Sequence, residues 1–266
     1  MLRGPDADTL IRVEFLRAKY RVAPVTVVLA VSLVVVFLLE VLLQVTARPV
    51  LLRLLALSGE GLAAGYWWTL LTHLFLHANA LHLLVNLLGL WFLGPEVEAM
   101  LGRTRFLILY LVSGVAGGLL QVAFSAPSSE LVGASGSVCG LLLAFTTACP
   151  DLPLRALLFF ILPVSMKART LGIGLIVFSL VCAVFRILPQ IGHLAHLGGA
   201  VAGAALAFLM LPKNLRGGTA PQTDLRTEQL LRRVVEEGLE GLSREERRAL
   251  EKLAGESPKR RPWSRP

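Results

Sequence analysis

Long apolar stretches alternate with short polar segments along most of this chain. A helix needs about 20 apolar residues to cross a membrane, and several stretches approach that length. The second stretch, at 80–93, is shorter than this unless the apolar turns at 70–76 also enter the membrane interface. The pattern predicts an all-α membrane protein, a bundle of six transmembrane helices at 23–45, 80–93, 106–124, 132–150, 171–187 and 192–211.

Polar segments flank this bundle and complete the predicted domain organisation. Residues 1–22 form an N-terminal segment, 23–212 the membrane domain and 213–266 a tail. In the tail, Ser243 followed three residues later by Glu246 matches a capping box, so we expect short helices before a disordered basic end. Residues 154–164 are apolar but too short to cross, and we interpret them as interfacial or as an extension of the fourth span.

Composition excludes a soluble protein. The chain is 55% hydrophobic and 17% charged, whereas soluble domains are about 25% charged. Of its 44 charged residues, 8 lie in 1–21 and 22 lie in 213–266. The net charge of +8 therefore lies at the ends of membrane segments, where it meets lipid headgroups and does not indicate nucleic-acid binding.

The basic residues also predict an orientation. Lys and Arg are enriched in cytoplasmic loops, and one set of connections holds most of them. That set comprises the segment before the first span, the second-to-third and fourth-to-fifth connections and the tail. The other set holds only Arg48, Arg53 and Arg186. We expect both termini in the cytoplasm and a multi-pass protein of the plasma (inner) membrane.

Three predicted spans carry polar side chains near their outer ends. His82 and Asn86 are four residues apart in the second span, Ser135 opens the fourth and His196 lies in the sixth. A buried polar group in a membrane is costly unless it is paired, so each indicates a functional site. Packing alone does not require His, Asn and Ser at one depth.

Glycine spacing provides a way to bring two of these spans together. Gly136 and Gly140 are four residues apart in the fourth span, as are Gly199 and Gly203 in the sixth. Small residues at this spacing allow close helix packing, which would place Ser135 within hydrogen-bond reach of the sixth-span histidine.

This arrangement predicts a nucleophilic serine. A serine hydroxyl needs an adjacent base, and an imidazole suits that task at neutral pH. His82, Asn86 and the backbone N–H of Ser135 could stabilise the resulting oxyanion. Ser137 lies about 200° farther around the helix, so only one of the two serines can face the sixth span.

These residues resemble the motifs of rhomboid intramembrane serine proteases over residues 66–210. The similar motifs are Gly133-Ala-Ser135-Gly136, His82-xxx-Asn86, Ala195-His196-xx-Gly199-xxx-Gly203 and Gly94-xxx-Glu98-xxx-Gly102-xxx-Phe106.

The resemblance implies Ser135 as nucleophile and His196 as general base, a dyad without an acidic third member. It implies His82 and Asn86 as oxyanion donors, no cofactor or metal, and membrane-spanning proteins in the lipid bilayer as substrates. Where the family commonly has Trp-Arg before the second span, this chain has Trp68-Thr69, so we expect that loop to be anchored differently.

Alternative functions remain open at this point. His73 with His77, and His193 with His196, have spacings that metal ligands use, which would suit a metal-dependent membrane enzyme. A catalytically silent relative that binds membrane proteins is a second alternative. A transporter is a third, although no internal duplication is apparent.

Overall fold

The structure, a computed structural model, describes residues 23–43, 48–158, 162–211, 243 and 245–246. The predictions for 1–22 and for most of 213–266 lie outside these residues. The elements in chain order are α1 Pro24–Leu43, α2 Arg48–Leu55, α3 Gly59–Ala63, α4 Thr69–Thr72, α5 Ala80–Leu101, α6 Arg103–Ala123, α7 Ser135–Ala148, β1 Pro153–Leu158, β2 Leu162–Lys167, α8 Ala168–Val184 and α9 His193–Met210.

In the described part of the chain, four helices are long and apolar enough to cross a membrane: α1, α5, α6 and α9. The chain is therefore a multi-pass membrane protein. The apolar helices α7 and α8 have 14 and 17 residues. They extend about 21 and 25 Å, less than the roughly 30 Å of a hydrocarbon core.

The second predicted span is longer than its apolar run. Helix α5 continues through Pro95 to Leu101 and ends at Gly102, whose φ of +79° suits glycine. The predicted end at residue 93 is wrong because the segment from Gly94 to Glu98 packs against α1 and stays helical.

A β-hairpin follows α7, so the interpretation of 154–164 as an extension of the fourth span is wrong. Strands β1 and β2 pair antiparallel from Pro153 with Lys167 to Leu158 with Leu162. Pro150 and Pro153 follow the end of α7, and proline disfavours helix in the residue before it. Apart from this hairpin and one isolated β-bridge, between Leu57 and Leu131, the regular structure of the described chain is helical.

Helices α6, α7 and α9 pack with their backbones in contact. A Cβ at Gly199 would overlap the backbone of Gly136, and one at Gly203 would overlap that of Gly140. A Cβ at Gly117 of α6 would likewise overlap the Ala195 carbonyl oxygen of α9. The two glycine stripes of the sequence therefore lie against each other.

The buried carboxylate of Glu98 holds α1 against α5. It accepts hydrogen bonds from Val25 N at 3.1 Å, Thr26 N at 2.8 Å and Thr26 Oγ1 at 2.7 Å. These N–H groups belong to the first turn of α1, which has no carbonyl of its own for them. Gly94 leaves room for the Thr26 side chain, and Phe106 is fully buried nearby in the core of the bundle.

The connection before α5 is anchored to the end of α2. Trp68 Nε1 donates to Leu54 O and Thr72 Oγ1 donates to Leu55 O, each at 2.7 Å. Thr69 is buried and donates through Oγ1 to Tyr66 O at 2.6 Å. The side-chain donors of this loop are therefore hydrogen-bonded to backbone carbonyl oxygens.

In the tail, Ser243 and Glu246 form the predicted capping box. Ser243 N donates to Glu246 Oε2 at 2.8 Å, and Glu246 N donates to Ser243 Oγ at 3.2 Å. Both bonds satisfy donors that helices leave open at their N-termini.

Replacing Gly199 with alanine should separate α7 from α9. The added methyl overlaps the Gly136 backbone, and overpacking of this kind lowers the free energy of unfolding by about 1–3 kcal/mol. Thermal unfolding in detergent, followed by circular dichroism, measures the loss. Gly174→Ala in α8 is the matched control because no atom lies within 4 Å of its Cβ position. Equal losses in the two variants would contradict the close contact.

Candidate active site

Ser135 and His196 meet where α7 and α9 begin. His196 Nε2 lies 2.8 Å from Ser135 Oγ, although the residues are 61 positions apart in the sequence. Both are half-buried. The distance is that of a hydrogen bond, and a hydroxyl next to an unprotonated imidazole nitrogen is the arrangement that activates a serine.

The backbone contact between the two helices sets this distance. Ser135 precedes Gly136, which packs on the α9 backbone at Ala195 and Gly199, on either side of His196. With glycine at the contact, no flexible side chain separates the two backbones. The separation of hydroxyl and imidazole is therefore determined by the backbone.

Gln121, in α6, caps the N-terminus of α9. Its Oε1 accepts from Leu194 N at 3.1 Å and from Ala195 N at 3.2 Å, and its Nε2 donates to Ser125 Oγ at 2.9 Å. Sequence reasoning missed this residue. The available signal was a glutamine at the end of an apolar span, the same signal that singled out Asn86.

His82 lies over the loop that leads into Ser135. A Cβ at Gly133 would lie 2.7 Å from His82 Nε2, so the imidazole occupies the space beside that glycine. Gly133 has a φ of +121°, and its N–H donates to His73 O at 2.8 Å. Glycine is required there because of the positive φ and because the imidazole fills the space beside it. The His82 imidazole therefore lies next to a glycine that precedes Ser135 by two residues.

Asn86 is buried one turn farther along α5. Its Nδ2 donates to His82 O at 2.9 Å, a bond within the same helix. An amide NH₂ has two hydrogens, so one remains for another acceptor. Among the residues that the structure describes, Asn86 therefore combines a structural bond with a donor hydrogen that has no acceptor.

The N-terminus of α7 offers a further donor. Ser135 is the first residue of α7, and the first N–H groups of a helix have no intrahelical partner. Within the described chain, the Ser135 N–H makes no hydrogen bond. A developing negative charge beside Ser135 would be stabilised by this N–H and by the helix dipole.

Ser137 faces a different helix. Its fully buried Oγ lies where a side chain on Gly114 of α6 would have to go, away from His196. The rotation of about 200° between the two serines therefore directs only Ser135 to α9.

The remaining histidines bond to backbone carbonyls. His73 Nδ1 donates to Thr69 O at 2.7 Å, and His77 Nδ1 donates to Phe75 O at 3.2 Å. The pKa of both is lowered to about 4, by burial in each case and for His77 also by the nearby His82, so they are neutral at pH 7. Among the described residues, no three His, Cys, Asp or Glu side chains are grouped as metal ligands.

A cavity of about 330 Å³ lies beside the start of α9. The end of α6, the connection that precedes α7 and the connection that precedes α9 line it, with Gln121, Glu130 and Gly192 among the lining residues. Ser135 and His196 do not line it. Gln121 thus contacts both the cavity and the helix that carries His196.

Comparisons with known proteins identify a family to which the chain is similar. Residues 64–213 match the family model described as the Rhomboid domain. The chain is 35% identical to rhomboid protease GluP of Bacillus subtilis over 188 residues, 70% of this chain and 34% of that protein. It is 32% identical to the putative rhomboid protease YdcA of the same organism over 59% of this chain and 73% of that protein. With RHOMBOID-like protein 2 of Arabidopsis thaliana the identity is 35% over 59% of this chain and 46% of the relative.

Proposed function

This chain belongs to the rhomboid family, and from that premise we propose that it is an intramembrane serine endopeptidase. The observation that carries the proposal is the 2.8 Å separation of Ser135 Oγ and His196 Nε2. The match spans about a third of the length of GluP and nearly three quarters of YdcA. The activity and substrates of the whole protein are therefore part of the proposal.

The proposed reaction is acyl transfer from a peptide bond. Ser135 Oγ attacks the scissile carbonyl while His196 Nε2 accepts its proton. The same proton then protonates the leaving amine, which departs and leaves an acyl-enzyme. Water, activated by His196, hydrolyses that ester and restores the serine.

Three donors are proposed to stabilise the tetrahedral oxyanion. The Ser135 N–H at the start of α7 is one, and the second hydrogen of Asn86 Nδ2 is another. His82, whose imidazole lies against Gly133, is the third. Donors fixed before the reaction stabilise developing charge without reorganisation, which is their advantage over water.

The short helix α7 supports a site below the membrane surface. Its 14 residues extend about 21 Å. If its C-terminal end lies at the inner boundary of a roughly 30 Å hydrocarbon core, Ser135 lies roughly 10 Å below the outer boundary. We propose that the substrates are membrane-spanning proteins whose helices unwind near that outer face.

The same proposal includes the membrane topology. All six apolar helices, α1 and α5–α9, cross the plasma (inner) membrane, with 1–22 and 213–266 in the cytoplasm. The uneven distribution of Lys and Arg supports this orientation.

Either Ser135→Ala or His196→Ala should abolish cleavage of a single-span substrate in liposomes. The first removes the nucleophile and the second removes its base, so the double variant should be scarcely slower than either single variant. Ser137→Ala is the matched control and should keep most activity because its hydroxyl faces α6. Near wild-type cleavage by Ser135→Ala would refute the dyad. An inactive wild-type protein would favour a relative that only binds membrane proteins.

Asn86→Ala should lower the turnover number while leaving the fold intact. Loss of one oxyanion donor costs about 10²–10³ in rate, less where His82 or water substitutes. Steady-state kinetics with the same substrate gives the turnover number, and thermal unfolding monitors the fold. Unchanged turnover would assign Asn86 to the intrahelical bond with His82 O alone.

A reporter fused after Pro266 should be active only in an assay specific to the cytoplasm, because the basic tail favours that side. A fusion in the α6–α7 connection, after Ser128, should report the opposite side. Reversal of the two signals would overturn the topology and the outer position of the site.

A further inference from the structure

His193 precedes His196 by almost one turn of α9 and is almost completely buried, with 4% of its surface exposed. Its Nε2 lies 3.0 Å from the carbonyl oxygen of Ile187. A carbonyl oxygen only accepts, so Nε2 carries the hydrogen and Nδ1 has the lone pair. In the part of the chain that the structure describes, this Nδ1 is buried without a hydrogen-bond partner.

An unpaired buried acceptor is costly and requires an explanation. Two rings lie next to His193, each at a centroid distance of 6.1 Å and each edge-on. One is Phe178, which has no polar hydrogen to donate. The other is His196, so the neighbouring ring that can donate is the proposed base.

His196 has a complementary need. Its Nε2 accepts from Ser135 Oγ, so in the resting state its hydrogen is on Nδ1. Within the described residues, the hydrogen bond seen for the His196 ring is the one made by Nε2. When His196 takes the serine proton it becomes a cation in the first turn of α9, where the positive end of the helix dipole disfavours it. An acceptor at Nδ1 would stabilise that cation and orient the imidazole.

We infer that His193 is a positioning residue, whose Nδ1 accepts a hydrogen bond from Nδ1–H of His196 as the imidazolium forms. The inference rests on the proposed Ser135–His196 dyad and adds a neutral third member to it. His193 then has the place that a carboxylate has in Ser-His-Asp sites.

The proton count is unchanged by this third member. The Ser135 proton goes to His196 Nε2 and then to the leaving amine. His193 keeps its own hydrogen on Nε2, bonded to Ile187 O, and takes up none. It contributes an oriented lone pair only.

The resting geometry is slightly long for this bond. The ring centroids are 6.1 Å apart, about 1 Å more than an in-line N–H···N bond between two imidazoles requires. Catalytic hydrogen bonds are often long in the free enzyme and shorten as the reaction proceeds. The Ile187 carbonyl holds His193 throughout, whereas His196 loses its hydrogen bond from Ser135 Oγ once the serine proton has transferred, so His196 is the ring that moves.

Three substitutions of His193 separate positioning from support of the loop. His193→Phe keeps a ring but has neither donor nor acceptor. His193→Asn keeps an acceptor at the Nδ1 position and loses the donor to Ile187. His193→Gln does the reverse, because its amide nitrogen lies at the Nε2 position. The turnover number and KM for a single-span substrate are measured for each variant in liposomes.

We expect His193→Phe and His193→Gln to lower the turnover number roughly 10- to 100-fold, the range for one hydrogen bond to a charged group, with little change in KM. His193→Asn should restore most of the loss. Rescue by glutamine and not by asparagine would assign His193 to the Ile187 bond and overturn the inference, as would an unaffected His193→Phe.

A measurement on the wild-type protein covers the case in which the variants do not fold. Nitrogen-15 NMR of histidine-labelled protein should show His193 with its hydrogen on Nε2. A hydrogen on Nδ1 would overturn the inference. Failure of the proposed function is distinguished by a fluorophosphonate, which would then leave wild-type Ser135 unlabelled. Labelled wild type together with an unaffected His193→Phe refutes only the role of His193.

Discussion

The contact of the α7 and α9 backbones at glycine determines the geometry of the site. Within a bilayer, apolar surface gains little from leaving lipid for protein, so helices associate through van der Waals packing and hydrogen bonds. Gly136 and Gly140 against Gly199 and Gly203 give the closest approach available to two helices. Because Ser135 and His196 flank this contact, their hydroxyl–imidazole distance follows from main-chain packing. A side chain at Gly199 or Gly203 would overlap the α7 backbone and move the two helices apart.

Helix ends impose a second requirement on a protein in lipid. The first N–H groups of each helix need acceptors, and the bilayer supplies no water for them. Glu98 of α5 provides acceptors for α1, and Gln121 of α6 provides one for α9. Both bonds connect residues about 70 positions apart in the sequence, so they also fix which helices are neighbours. The bond from Gln121 additionally places the turn that carries His196.

The contact between Ser135 and His196 could be predicted from the sequence more readily than the connections between the helices. Polar residues at one depth pointed to Ser135, His196, His82 and Asn86, because such residues are conspicuous in apolar spans. Gln121 is equally polar, but the sequence does not indicate which backbone groups it binds, because its hydrogen bonds to α9 depend on tertiary packing. The hairpin was missed because a short apolar run is compatible with a strand, a helix or an interfacial segment. Periodicity could not choose among them.

The length of α8 has a consequence for the surrounding lipid. Apolar side chains such as Ile173, Val177 and Val184 leave large parts of this helix uncovered by protein. If α8 crosses the bilayer as proposed, its length of about 25 Å against roughly 30 Å of hydrocarbon imposes a hydrophobic mismatch. Thinning of the lipid beside α8 would relieve that mismatch, at a cost of a fraction of a kcal/mol for each ångström. For the proposed protease, a substrate helix that arrives along this flank would find less hydrocarbon covering its outer end, and its unwinding there would expose backbone groups to water sooner.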